Sequence, residues 1–122
     1  MRLFRPAIFI AIMVIVAGCT VSKRVPNGWP RALPVMEGMR VYQSESSDGQ
    51  MYISICGDAG AREAMLYYTH LEGWDSPVEV TDDAGILSFT LTRGGERVDV
   101  AVFRSYGDSD KLQTHVKLIY MW

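Results

Sequence analysis

Two cysteines and two histidines are all that this 122-residue chain holds of the side chains most used for metal and thiol chemistry. A zinc centre needs three or four converging ligands, and neither a His-x-x-x-His nor a Cys-x-x-Cys spacing occurs. Asp82-Asp83 and Asp108-x-Asp110 are short acidic turns without the spaced oxygen donors of a calcium loop. The remaining acidic residues read as loop or polar-face positions, so the buried-and-exposed carboxylate pair of acid–base catalysis is not expected. Basic residues are few and scattered, which argues against a nucleic-acid partner. There is no internal repeat and no low-complexity tract. No apolar run reaches the ~20 residues needed to span a bilayer.

What is present starts at the N-terminus. Arg2 and Arg5 precede an unbroken apolar run from Ala7 to Ala17, of the length expected for the core of an export signal. Val16-Ala17-Gly18-Cys19 closes it with small residues before a cysteine. These four residues resemble a lipobox, the processing site of bacterial lipoproteins. The resemblance implies that residues 1–18 are a signal peptide, that cleavage falls before Cys19, and that Cys19 is acylated, for instance with palmitate. Two acyl chains hold a protein stably on a membrane. By the sorting rule of such lipoproteins, Thr20 in place of aspartate implies the outer membrane, with the domain facing the periplasm. Loss of Arg2 and Arg5 would take the formal charge from −2 to −4. Under this reading Cys19 belongs to the lipid, and a Cys19–Cys56 disulfide requires the reading to fail. Cys56 is expected to be a buried, inert, small apolar side chain.

Residues 19–34, the lipidated cysteine and the stretch TVSKRVPNGWPRALP, carry three prolines and no hydrophobic period, and are expected to be a flexible tether reaching tens of ångströms. Trp29 fits either the headgroup layer or a fold back onto the domain. A single domain is expected over residues 35–122. Arg40–Gln43 and Gln50–Cys56 read as strands joined by a loop over residues 44–49. Asp58 is placed to cap a helix ending near Glu72, with Ala61, Ala64, Met65, Tyr68 and Leu71 on one face and Gly73 as its stop. Val78–Thr81, Ile86–Thr92, Glu96–Arg104 and Gln113–Trp122 read as strands, with Asp82–Gly85 and Gly94-Gly95 as turns. The expected fold is α+β in two layers, one amphipathic helix on an antiparallel sheet in the order β-β-α-β-β-β-β. Pro34-x-x-x-Gly38, Tyr67-Tyr68, Leu71, Gly73-Trp74, Leu87-x-Phe89 and Val98-x-Val100-x-Val102 together resemble a group of small bacterial lipoproteins with a β-rich C-terminus. That resemblance implies a fold and no activity.

Few residues stand out as chemistry. His70 is expected on the solvent side of the helix end and His115 on the outward face of the last strand. Asp99 lies on the polar face of its strand, within reach of Arg97 or Lys117. Met36, Met39, Met51, Met65 and Met121 are too dispersed for a copper motif and suit gap filling. No cofactor is expected. Tyr52, Phe103, Ile119 and Met121 fall on the strand face away from the helix and form a candidate interaction surface, unless strand-end twist returns them to the core. The expected function is a non-enzymatic envelope lipoprotein that docks on another envelope protein. The alternative is a binding module for a small apolar ligand or lipid, with Tyr67, Tyr68 and Trp74 lining a cleft.

Overall fold

Successive side chains of a strand point to opposite sides of the sheet, so apolar residues two apart share a face. Met51, Ile53 and Ile55, then Val98, Val100 and Val102, then Val116, Leu118 and Tyr120 follow that period, and all are buried. A computed structural model describes residues 23–77, 79–106 and 111–122. Its elements are β1 (Met39–Ser47), β2 (Gln50–Gly57), α1 (Ala61–Thr69), β3 (Thr81–Asp83), β4 (Ile86–Arg93), β5 (Glu96–Ser105) and β6 (Gln113–Met121). The strands form one antiparallel sheet in the order β1-β2-β6-β5-β4-β3.

The expected two-layer α+β architecture is corrected by these proportions. Of the described residues 51% are strand and 9% helix, a mostly-β, barrel-like fold. The reason is the length of α1. It starts at Ala61, with the Glu63 carboxylate reaching back to the Gly60 N–H at 3.3 Å, and not at Asp58. Asp58 instead accepts bonds from Lys111 Nζ and Gln113 Nε2. The helix ends at Thr69, so Leu71 is only half-buried, and Gly73 takes its positive φ of 91° beyond the helix in the following turn. Nine residues cannot cover a six-stranded sheet, and α1 packs mainly on β5 and β6.

Irregular chain supplies the rest of the cover, which corrects the tether as well. Leu33 is fully buried and Met36 is buried beside it in the core. Trp29 Nε1 donates to the Leu33 carbonyl at 2.7 Å, and Trp74 Nε1 to the Ala32 carbonyl at 2.7 Å. The Tyr68 hydroxyl donates to the Pro34 carbonyl at 2.9 Å and accepts from the Met36 N–H at 3.0 Å. Residues 29–36 are therefore bound to the sheet and α1, and Trp29 folds back onto the domain, edge-on to Tyr120. Further upstream, the Lys23 N–H donates to the Val41 carbonyl at 2.6 Å. The bound part of the chain begins well before Val35. Residues 1–18 and Cys19 lie outside the described residues, as do Val78, Asp108 and Asp110.

Two strand boundaries also move. β1 runs on to Ser47 and turns at Asp48-Gly49, so Ser44–Ser47, expected as loop, are paired. β3 holds Thr81, Asp82 and Asp83, and its turn is Ala84-Gly85, with φ of 54° and 87°.

Candidate functional site

With the helix side filled, the opposite, outer side of the sheet is where side chains remain accessible. Asp75 bridges Thr92, its N–H donating at 2.8 Å, and Thr81 pairs with Ser88. Asp75 and Thr81 are six residues apart and their partners Thr92 and Ser88 four, so the two stretches do not pair residue for residue. Ser76, Pro77 and Glu79, from the stretch between those two pairings, line a groove of about 660 Å³. Its floor includes Thr90 on β4, Arg97 and Asp99 on β5, and Lys117 and Ile119 on β6.

Asp99 organises the floor. Thr90 Oγ1 donates to Asp99 Oδ1 at 2.9 Å, and Arg97 Nε to the same oxygen at 2.9 Å, with Arg97 Nη2 on Oδ2 at 3.4 Å. Of the two cations within reach in the sequence, the structure gives Asp99 to Arg97. The pair's side chains are 58% and 39% exposed, so it contributes at most about 1 kcal/mol and mainly orients the guanidinium. Lys117 turns toward the Phe103 ring, 5.8 Å from its centroid.

The four candidate contact residues all lie on the outer face and all are half-buried. Tyr52 pairs with Ile119, Arg97 pairs with Met121, and Phe103 pairs with His115. Ile119 therefore joins the groove to Tyr52, with Met121 two residues along the same strand. Phe103 is separated from them by Lys117 and serves a different partner: its ring stacks on His115 at 5.3 Å, 7° from parallel.

His115 is buried on this face. The register of β1 skips Tyr42, between Val41 and Gln43, and the Tyr42 hydroxyl reaches His115 Nδ1 at 3.2 Å. Among the described residues Nε2 has no hydrogen-bond partner. Burial, the largest cause, holds the imidazole below its ordinary value; the Ser105 backbone opposes it, and the Lys117 charge adds the smallest effect in the direction of burial. Beside it Tyr52 bonds to fully buried Ser54, and to Gln43 Oε1 at 3.3 Å. Tyr42 was not singled out from the sequence, because nothing in its local composition marks the bulge that aims it.

Cys56 is fully buried, directly opposite His115, and disulfide-bonded. The sequence holds one other cysteine, Cys19, outside the described residues. His70 is exposed at the end of α1, its ring 2.9 Å from the Leu66 carbonyl, well apart in the chain from His115. Among the described residues no cluster of three or more His, Cys, Asp and Glu is placed to hold a metal. Met36, Met39 and Met51 are buried in the core. Tyr68 and Trp74 fill that core, with Arg93 4.5 Å from the centre of the Trp74 ring and Tyr67 edge-on to Tyr68 at 4.8 Å. They do not line a cleft between helix and sheet.

No known protein family, characterised protein or solved structure matches this chain.

Proposed function

We propose that the chain is an exported lipoprotein, anchored in the outer membrane through Cys19, whose outer sheet face docks another envelope protein without catalysis. The observation that carries the docking reading is the asymmetry of the sheet. One face is closed by α1, Leu33, Met36 and Trp74, while the other keeps half-buried Tyr52, Ile119 and Met121 beside a groove of about 660 Å³. Half-exposed apolar and aromatic side chains next to oriented polar groups suit a protein contact. The apolar-ligand alternative loses its basis, because Tyr68 and Trp74 are already packed.

Ile119→Asp and Met121→Asp test the docking face better than Phe103→Asp, which would also break the stack on His115. Both proteins should keep the wild-type circular dichroism and lose a partner crosslinked in intact cells. Unfolding of both, or unchanged crosslinking, overturns the docking reading.

The disulfide at Cys56 favours a second reading, an exported domain that carries no lipid. One sulfur cannot hold both an acyl-glyceryl thioether and a disulfide, so the two states of Cys19 exclude each other. The intact mass of protein extracted from membranes, with and without reductant, decides between them. Two acyl chains support the anchor, and a gain of two hydrogens on reduction supports the disulfide.

A further inference from the structure

We infer that the groove over β4, β5 and β6 takes a short extended segment of a partner protein, with an acidic side chain toward Lys117 and a basic one toward Glu79. This rests on the reading of the outer sheet face as a docking surface, not on the state of Cys19, and adds the chemistry of what docks there.

Register sets the shape of the site. Thr81, Ser88, Ala101 and Lys117 are paired in turn across β3, β4, β5 and β6, so they form one row on the outer face. Ala101 is the smallest side chain of that row, which is therefore lowest at β5. Three strand spacings separate Thr81 from Lys117, about 14 Å between backbones. Four steps of an extended chain, at about 3.4 Å each, cover the same distance. A helix is about 10–12 Å across with its side chains, nearly the whole row, and its amides are already bonded to its own carbonyls. The hydroxyls of Thr81, Ser88 and Ser76 in the lining both donate and accept, which suits the free amides of an extended chain. A volume of about 660 Å³ holds a segment of this length and not a folded lobe. Sugar rings stack on aromatic faces, and the described lining offers none: Phe89 is buried, and the nearby Phe103 ring lies against His115.

Charge sets the order of the segment. The lining holds two cations, Arg97 and Lys117, and two anions, Asp99 and Glu79, so it is neutral on balance. A polyanion or a polycation gains no net attraction from it. Arg97 and Asp99 are bonded to each other. Lys117 and Glu79, both exposed, make no ion pair among the described residues. They come from opposite ends of the groove, Lys117 from β6 and Glu79 from two residues before β3. Unlike charges four residues apart, on one side of an extended chain, match both. Half-buried Ile119, beside Asp99 and Tyr52, takes an apolar side chain of the same segment.

The test uses the nitrogen-15-labelled full chain purified from cells, with Cys19 in its cellular state, and three end-blocked pentapeptides. One carries aspartate and lysine around three alanines, one carries lysine at both ends, and one aspartate at both ends. Amide shifts are followed at residues 88–90, 99–101 and 117–119, with the exposed residues of α1 as the reference. The aspartate–lysine peptide should bind about fivefold more tightly than either like-charged peptide, each of which exchanges one exposed ion pair for a repulsion. Lys117→Glu should transfer the preference to the lysine–lysine peptide, and Glu79→Lys to the aspartate–aspartate peptide. Both residues are exposed, so both variants should keep the wild-type amide spectrum elsewhere. No shift with any peptide, equal shifts with all three, or a preference that survives both substitutions overturns the extended-segment reading. Shifts of the same amides by chitotetraose but by no peptide overturn it in favour of a glycan. If Ile119→Asp loses its crosslinked partner while the peptides fail, the docking face stands and only the segment falls. Unchanged crosslinking of Ile119→Asp overturns the docking reading, and this inference with it.

Discussion

Leu33→Ala measures whether the proline-containing segment before β1 belongs to the fold. Leu33 is fully buried, and its carbonyl accepts the Trp29 indole N–H. Cutting a buried leucine to alanine removes its transfer energy and leaves a cavity, at a cost of about 2–5 kcal/mol. In a domain of this size each kcal/mol moves the midpoint by about 4–8 °C, so Tm should fall by at least about 8 °C. Arg31→Ala, two residues away and exposed, should stay within about 0.5 kcal/mol. Urea and thermal unfolding of the two variants side by side is the assay. A form shortened to begin at Val35 goes further, because it also strips the acceptors of Trp74 Nε1 and the Tyr68 hydroxyl. Two donors left unpaired at about 1–3 kcal/mol each, added to Leu33, give a loss of about 4–11 kcal/mol. That rivals the whole stability of a small domain, about 5–15 kcal/mol, so the shortened form should not unfold cooperatively. Equal stabilities for Leu33→Ala and Arg31→Ala would refute the argument and return the segment to a tether.

Tyr68→Phe keeps the ring and removes the hydroxyl that bridges the Pro34 carbonyl and the Met36 N–H; it should cost about 1–3 kcal/mol in urea unfolding. Gly57→Ala sets a Cβ 2.6 Å from the Gly38 carbonyl oxygen and 2.7 Å from Met39 Sδ, so overpacking should cost about 1–3 kcal/mol and speed amide exchange at the start of β1. Ala84→Asn should stabilise by up to about 1 kcal/mol, because Ala84 sits at a φ of 54° that asparagine tolerates better; a lower Tm would count against the turn. Burial, helped by Lys117, holds His115 below its ordinary value, so the unfolded chain binds the proton more readily than the folded one. The associated stability is complete above about pH 6.5 and declines as pH falls through the folded midpoint. Urea midpoints at pH 7.5 and 5 should show a smaller acid loss for His115→Gln than for wild type.

Strand direction was the most legible part of this chain, and the physical reason is the period of two. Val98, Val100 and Val102 admit one buried face, and the same alternation put Asp99 and Phe103 on the other. The helix is shorter than its apolar stripe and the cap-like Asp58 imply. Ala61, Ala64 and Tyr68 mark the stripe correctly, but Asp58 was worth more as an acceptor for Lys111 and Gln113 than as a cap, and no local feature announced those partners from β6 and its approach. The segment over residues 23–34 misled for a related reason. Proline and glycine exclude helix and strand there, yet a chain without regular structure can still be bound through indole, phenol and a single leucine. The groove is invisible in the sequence because its lining comes from three strands and the stretch before β3, far apart along the chain, and Tyr42 because a bulge has no compositional signature.

The division between the two sheet faces follows from how little covering material the chain has. One nine-residue helix and one irregular segment cannot cover both sides of six strands, and both fall on the side with the continuous aliphatic rows. The other side is left with residues tolerable in water: Ser88, Thr90 and Thr92 on β4, the Arg97–Asp99 pair on β5, and aromatic rings buried only in part. Such a face costs little to expose and little to desolvate, which is the condition for a reversible protein contact. Its most buried part, around Ser54, Cys56 and His115, lies on β2 and β6, on the side of the sheet nearer β1. The groove lies over β4, β5 and β6, toward the opposite edge.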